Sequence, residues 1–569
     1  MDEVVEHAHP VRHYLMLAVL GLGLAVLAGR VVYLQVSDGL YLKAQGHARH
    51  LRVVKTPPTR GLILDRNGEA LAVSTPVDSV WAHPQTLLAE GGAVEGLAKS
   101  LGLRAEEIRE LCRRHAEREF VYLKRHLAPQ DARRVMELRV PGVELERGYR
   151  RYYPLGPVFG QVVGFTGAED AGQEGLELAY DEPLAGQPGK VHVLRDRVGR
   201  TVERVERLQA TRHGADLRLS LDARLQYLAY RQLGLAVKQH RAAGGSFVLL
   251  DAKTGELLAL VNEPDFNPNN LADREGDKFR NRAVTDTFEP GSTLKPFTVA
   301  MALERGAITP DSRVDTAPGT LQVGSDTVRD VHDYGLLTAA RVIVKSSNVG
   351  VAKIALAQPV TALTDILSRF GFGSRTGSGL PGEVDGRLPA RAKWQPIEHA
   401  TLAFGYGMAA TPMQLARAYQ ALANDGVLLP VATRPLEKVP AGERVLRSNT
   451  ARQLRAMLEA ATSDEGTGGQ ARVAQHRVAG KTGTVHKHIG GRYADDRYLS
   501  VFAGMAPAGD PRLVAVVIIN DPRGGQHFGG QVAAPVFAKV MAGALRVLNV
   551  PPDAPQATAN APEPGAGRT

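Results

Sequence analysis

Three short motifs in this 569-residue chain combine hydroxyls, amines and a carboxamide in a pattern suited to nucleophilic catalysis. Ser292-Thr293-Leu294-Lys295 follows Glu289-Pro290-Gly291 and opens an apolar run with helical periodicity. Pro-Gly ahead of a serine reads as a helix start, and residues three apart then share a helix face. A serine hydroxyl is a poor nucleophile at its own pKa. A neutral lysine amine beside it can take the proton, provided burial and positive neighbours depress that lysine. The helix N-terminus adds partial positive charge where an oxyanion would form. Alone the motif is weak, because about two S-x-x-K matches arise by chance in a chain of this size. The bland alternative is an N-cap serine with an exposed lysine.

Two further motifs follow in order. Ser346-Ser347-Asn348 sits at a polar break in the helical stretch VKSSNVGVAKIA, where a hydroxyl and a carboxamide can be presented together; otherwise it is an ordinary loop. Lys481-Thr482-Gly483-Thr484 follows the strand-like His476–Gly480. A lysine charge, two hydroxyls and a glycine that lets backbone approach closely make an edge for an extended peptide or its C-terminal carboxylate. A second Lys-Thr-Gly, Lys253 to Gly255, precedes Ser292 and reads as the turn of a hairpin. Order and separation distinguish the two copies.

The elements expected to hold these motifs form an α+β fold. LRLSLD from Leu217 alternates as a strand, Ala223–Arg241 has helical spacing, and Gly244–Asn262 reads as two apolar strands about the Lys253 turn. Ser500–Ala506 and Leu513–Asn520 read as two more strands, and helices dominate between Lys295 and Leu458. Strands at both ends around central helices predict one antiparallel sheet flanked by helices, over residues 215–548. Before it, residues 57–214 read as a mixed α+β module without a catalytic constellation. It begins with a hairpin about Asp65-Arg66-Asn67-Gly68 and continues with helical patterns over Thr86–Val140. The tail, 551–569, is rich in Pro and Ala and is expected to be disordered. No internal repeats occur.

Composition sets the surroundings. The chain is 44% hydrophobic and 23% charged, with a net charge of +9, which is ordinary for two or three folded units. No basic run alternates with aromatics, so nucleic acid is not an expected partner; a basic surface near anionic lipid or cell-wall polymer is the plainer reading. Tyr14–Val36 is apolar apart from Arg30 and long enough to cross a hydrocarbon core of about 30 Å. It lacks a clean small-x-small cleavage site, so it is expected to remain as an anchor, with 1–13 as a cytoplasmic tail. Flanking charge taken literally points the other way, since Lys43, Arg49, Arg52 and Lys55 follow the span. Long domains translocate largely regardless of that count, and the chemistry decides the orientation. The single cysteine, Cys112, cannot form an intrachain disulfide and is expected to be a buried small apolar residue. His7, His9 and His13 lack accompanying ligands for a metal site, His486, His488 and His527 read as exposed loop residues near the cleft, and Trp394 reads as a packing residue.

Taken in order, the three motifs resemble the serine acyltransferases that react with penicillin. More of the chain is similar to class B penicillin-binding proteins. Arg60–Ser74, Arg151–Phe165 and Gly175-Leu176-Glu177 resemble their non-catalytic pedestal. FEPGSTLKPF around Ser292, LPGE from Leu380, FGYG from Phe404, TPMQLA from Thr411 and FGGQVAAPVF from Phe528 resemble their transpeptidase domain. The Phe404 and Phe528 segments resemble the division-specific type, penicillin-binding protein 3. The resemblance implies a D,D-transpeptidase of the bacterial inner membrane, single-pass, with its catalytic domain in the periplasm, cross-linking peptidoglycan stem pentapeptides and inhibited by β-lactams. It implies Ser292 as the acylated nucleophile and Lys295 as base. Ser346 and Asn348 line the cleft, and Lys481 supports the electrostatics. Thr482 and Thr484 bind the donor carboxylate beside Gly483, and the N–H groups of Ser292 and Thr484 form the oxyanion hole. No metal or organic cofactor is implied. Glycan polymerisation falls to a polytopic membrane glycosyltransferase, with other division-machinery membrane proteins as partners. A carboxypeptidase or β-lactamase is the alternative within enzymes, and a penicillin sensor or scaffold the alternative outside them. No carboxylate is assigned to activate a deacylating water, and thirteen residues before the anchor leave no room for a signalling domain.

Overall fold

The structure, a computed structural model, describes residues 10–36, 51–195, 201–274, 276–391 and 393–554. His7, His9 and the tail from residue 555 lie outside the described residues.

An isolated helix, α1 (Pro10–Val36), covers the expected anchor. Its 27 residues carry no buried side chain, and at about 1.5 Å per residue they exceed a hydrocarbon core of about 30 Å. The remaining chain packs as two compact units that share it in alternation. The smaller takes Pro76–Gly148 and Gly186–His213 with the chain up to Thr59; the larger takes Arg60–Thr75, Tyr149–Ala185 and everything from Gly214. The range 57–214, one module by its sequence texture, is therefore divided between two cores.

In the smaller unit, helices Ala93–Leu101 and Ala105–Arg114 bury Val94, Leu97, Leu101, Ile108 and Cys112 in one cluster. Cys112 is fully buried, as its type suggested. Val121–Leu127 is a strand inside the run expected to be helical, paired antiparallel with the far half of Ala70–Ala82. Its apolar side chains at Val121, Leu123 and Leu127 face that core. Pairing with a distant segment overrode local helical pattern.

The larger unit is the α+β architecture expected. Helix α2 (Ala223–Gln239) leads into β1 (Gly244–Asp251) and β2 (Leu257–Glu263). Helices α3 (Lys295–Glu304), α4 (Ala339–Lys345), α5 (Asn348–Leu356) and α6 (Pro412–Ala423) follow. Then come β3 (Ala479–Ile489), β4 (Arg492–Ala506), β5 (Leu513–Asn520) and α7 (Ala534–Val547). The five strands form one antiparallel sheet in the order β2-β1-β5-β4-β3. Its first hairpin closes at the Lys253 turn, where Asp251 accepts from the N–H groups of Lys253 and Thr254 and Gly255 adopts φ +76°.

Every residue of β1 is buried because the sheet is covered on both faces. Period-two alternation divides its side chains. Phe247 and Leu249 join Leu225, Ala229 and Leu233 of α2 and Phe537 and Met541 of α7 on one side. Val248 and Leu250 join Phe297 of α3, Val351 of α5 and Tyr419 of α6 on the other.

Three separated segments meet in one buried ionic cluster. Arg60 and Arg151 each donate from Nε to a different oxygen of Glu177 at 2.6 Å, and Arg60 also reaches Asp181 at 2.7 Å. The Arg60, Arg151 and Glu177 side chains are 1%, 1% and 0% exposed. Removing the central carboxylate would strand two guanidinium groups away from water. Glu177→Ala is expected to cost about 3–5 kcal/mol, read as a lower urea midpoint for the detergent-solubilised protein. An unchanged midpoint would show that the cluster does not hold this part of the fold.

Candidate active site

Ser292 lies in a 3-10 turn, Gly291–Leu294, that runs directly into α3. The serine is half-buried at the surface end, whereas Lys295 is fully buried. The turn is wedged between the Val485 side chain and the Gly405 backbone, which leave no room for a side chain at the contact. Gly291 has φ +55°, and a Cβ there would come within 2.5 Å of Val485 on β3. Gly405 of the FGYG loop, at φ +89°, accepts from the Gly291 N–H at 3.2 Å, and its own Cβ would strike Gly291 at 2.3 Å. Glu289 ties the same turn outward, accepting from the Gly407 N–H at 2.8 Å and the Tyr493 hydroxyl at 3.1 Å.

Lys295 hydrogen bonds not to Ser292 but to Ser346. Its ammonium reaches the Ser346 carbonyl in a very short contact and the Ser346 Oγ at 3.2 Å. Lys481 Nζ donates to the same Oγ at 2.8 Å. Ser346 can present both oxygens because it ends α4 in the left-handed region, φ +60°, a conformation that costs a non-glycine residue about 1–3 kcal/mol. Two lysines from distant segments thus share one hydroxyl.

Both lysines are fully buried. Burial, then the nearby Lys481 charge, holds Lys295 well below the ordinary lysine range, with Asp330 pulling weakly the other way. Burial pushes Lys481 down to about 7. Two ammonium charges around one neutral hydroxyl repel in a low-dielectric setting, so a neutral amine is available near neutral pH.

The other expected residues are placed less uniformly. Asn348 starts α5 and donates its carboxamide to the Arg329 carbonyl at 2.9 Å. β3 is the edge of the sheet. Lys481 is paired with Ala503 and Gly483 with Val501 on the face that carries α3. Thr482 and Thr484 alternate to the other face. There Thr482 Oγ1 meets Thr467 Oγ1 at 2.7 Å, and Thr484 Oγ1 accepts the Gly529 N–H at 3.0 Å. Gly483 packs on the serine turn, where a Cβ would meet Thr293 at 3.1 Å. His486 is half-buried on β3 rather than in a loop, with Nδ1 2.9 Å from the Ala494 carbonyl. His488 is on the same strand, and His527 stacks on Tyr498 with centroids 4.1 Å apart. Trp394 packs against the core as expected.

Sequence reasoning missed four participants. Asp330 accepts from the Ser347 hydroxyl and the Asn348 and Val349 N–H groups, Tyr419 donates to the Thr293 carbonyl at 2.9 Å, and Glu289 and Thr467 act as above. Only Thr467 carried a signal, being a hydroxyl flanked by Gly466, Gly468 and Gly469.

The penicillin-binding protein transpeptidase domain family matches residues 245–542, and the penicillin-binding protein dimerisation domain family matches residues 55–219. The chain is 42% identical to the peptidoglycan D,D-transpeptidase FtsI of Escherichia coli (strain K12) over 558 residues, 96% of this chain and 94% of that protein. It is 40% identical over 535 residues to the probable peptidoglycan D,D-transpeptidase PenA of Neisseria meningitidis (serogroup A strain), covering 93% and 92% respectively. Among solved structures, penicillin-binding protein 3 of Mycobacterium tuberculosis, complexed with aztreonam, superposes with a TM-score of 0.69 at 31% identity, over 88% of this chain and 99% of that one.

The buried amines carry a stability consequence with a definite sign. Lys481 falls from an ordinary 10.5 to about 7 on folding, so between those values the unfolded chain binds more protons and stability rises with pH. Lys481→Met removes this burden, and its thermal unfolding midpoint is expected above wild type at pH 7. That advantage should shrink as pH is raised toward the ordinary lysine value. A Met variant equally or less stable at pH 7 would show that the hydrogen bond to Ser346 outweighs desolvation.

Proposed function

The chain belongs to the penicillin-binding protein transpeptidase family, and from that premise we propose how its residues divide a septal peptidoglycan D,D-transpeptidase reaction. The observation that carries the assignment is the Ser346 hydroxyl held between Lys295 and Lys481 beside the serine turn. Neutral Lys295 takes the Ser292 Oγ proton as Oγ attacks the carbonyl of the penultimate D-alanine. The tetrahedral oxyanion lies against the backbone N–H groups of Ser292 and Thr484. Its collapse breaks the D-alanyl-D-alanine amide, and the proton passes to the leaving amine through Ser346, with Lys481 holding that relay. An amine of a neighbouring stem peptide then attacks the acyl-enzyme, forming the cross-link and returning the proton to Ser292.

The donor peptide adds along the free edge of β3, with the Asn348 carboxamide across the cleft. Thr484 accepts from Gly529, which leaves its own proton free for the donor carboxylate, and Thr482 exchanges its bond to Thr467 for the same anion. Gly483 keeps the strand close to the serine turn. β-Lactams enter as donor mimics. Along the chain, 14–36 is the transmembrane anchor, 57–214 the non-catalytic pedestal and 215–548 the transpeptidase domain, with everything after the anchor in the periplasm. A polytopic membrane glycosyltransferase and other division proteins supply glycan polymerisation and recruitment.

Fluorescent penicillin should label one peptide, at Ser292. Ser292→Ala should abolish labelling with little change in thermal unfolding, since a half-exposed hydroxyl contributes little stability. Lys295→Arg should fail almost as badly as Lys295→Ala, because a guanidinium cannot accept the proton. Labelling that survives Ser292→Ala would overturn the nucleophile. For the cellular role, depletion should give filaments, and a reporter fused near Pro551 should be active only outside the cytoplasm. Round cells that still divide would move the enzyme to elongation.

A further inference from the structure

Asp330 stands outside the three motifs, half-buried, at the end of a small hairpin made by Thr320–Val323 and Asp326–Arg329. That hairpin is firmly seated. Val323 and Val328 are buried in the core, and the Asp330 N–H donates to the Gly319 carbonyl at 2.9 Å. Its carboxylate is spent on the Ser346–Asn348 turn. One oxygen accepts from the N–H groups of Asn348 and Val349, and the other accepts the Ser347 hydroxyl. The adjacent Arg329 carbonyl accepts the Asn348 carboxamide at 2.9 Å.

Asp330 shares the capping of α5, taking its first two backbone N–H groups, those of Asn348 and Val349. Ser347 already caps α5, accepting from the Gly350 N–H at 2.8 Å. With the Ser347 hydroxyl and the Asn348 carboxamide, which are not helix amides, the end of the hairpin makes four contacts to a turn that begins at Ser346, a residue held in the left-handed region. A small rotation of that turn would carry the Ser346 Oγ away from one lysine or the other.

We propose that Asp330 is a positioning residue for acyl transfer, its carboxylate fixing the Ser346–Asn348 turn so that one hydroxyl stays within reach of both Lys295 and Lys481. The inference rests on the functional reading above. Asp330 and Lys481 are the charged groups acting on Lys295, so the carboxylate also opposes the loss of the Lys295 proton.

The test measures fluorescent-penicillin acylation by the full-length protein in detergent, separating the saturating rate from the half-saturating concentration, across pH. Asp330→Ala should lower the saturating rate about 10–100-fold, the cost of a displaced catalytic group, with the half-saturating concentration moving less than about threefold. Asp330→Asn keeps an acceptor for the two backbone amides and should recover most of that rate. Both variants remove a negative charge, so the acid limb of the rate profile should move to lower pH. Lowered thermal stability with wild-type rate and an unmoved acid limb overturns the inference and leaves the nucleophile assignment standing. Absence of labelling in the wild type overturns both.

Discussion

Two ammonium groups cannot both be taken out of water beside one hydroxyl and remain charged. That constraint organises the larger unit. Lys295 enters the core on α3, and Lys481 enters from the edge strand of a sheet covered on both faces, so each loses its water. Their convergence on Ser346 turns an unfavourable burial into a source of a neutral amine near neutral pH, which is what the proposed proton transfer needs. Histidine is not needed, because desolvation does to an amine what an imidazole offers without help.

The remaining architecture keeps that convergence from relaxing. Backbone lies on backbone at Gly405 and Gly529, where a Cβ would come within 2.3 Å of Gly291 and Gly483 respectively, and Gly291 and Gly483 in turn leave room only for the Val485 and Thr293 side chains. The FGYG loop thus lies directly on the serine turn and the Phe528 segment directly on β3, while the serine turn meets β3 through the β-branched Val485 and Thr293, whose rotamers are few. Interiors packed this way transmit displacement rather than absorb it. Tyr419 and Thr298 fasten the start of α3 from behind, to the Thr293 and Ala403 carbonyls respectively.

Much of this was legible in the sequence, for reasons that can be named. Four strands of the five-stranded sheet read as apolar runs broken by turn chemistry, and Lys253 to Gly255 formed the hairpin turn its composition announced. The edge strand, expected over His476–Gly480, runs instead over Ala479–Ile489 and carries the Lys481 motif within it. The three motifs could be ranked because their order is improbable by chance. What stayed hidden depends on contacts between residues far apart in the chain. Val121–Leu127 is a strand only because a distant strand pairs with it. Asp330 lies in RDVHDY, which has no signature of its own. Ser292 and Lys295 do share a turn, yet the amine bonds to Ser346, 51 residues on, a preference set by α4 and invisible in a spacing of three. The partners of Thr482 and Thr484, the Thr467 hydroxyl and the Gly529 N–H, come from segments 15 and 45 residues away and could not be read from the motif itself.

The alternation of the chain between two cores constrains how the gene can change. The larger unit draws on Arg60–Thr75, on Tyr149–Ala185 and on everything from Gly214, and the Arg60–Glu177–Arg151 cluster needs its first two segments matched to each other. A single recombination crossover between residues 75 and 149 would splice one parent's Arg60 segment to the other's Arg151 and Glu177. Such a hybrid inherits a buried charge network whose members never co-evolved. A crossover outside Arg60–Glu177 keeps the whole charge network from one parent and asks only apolar surfaces to match across the join.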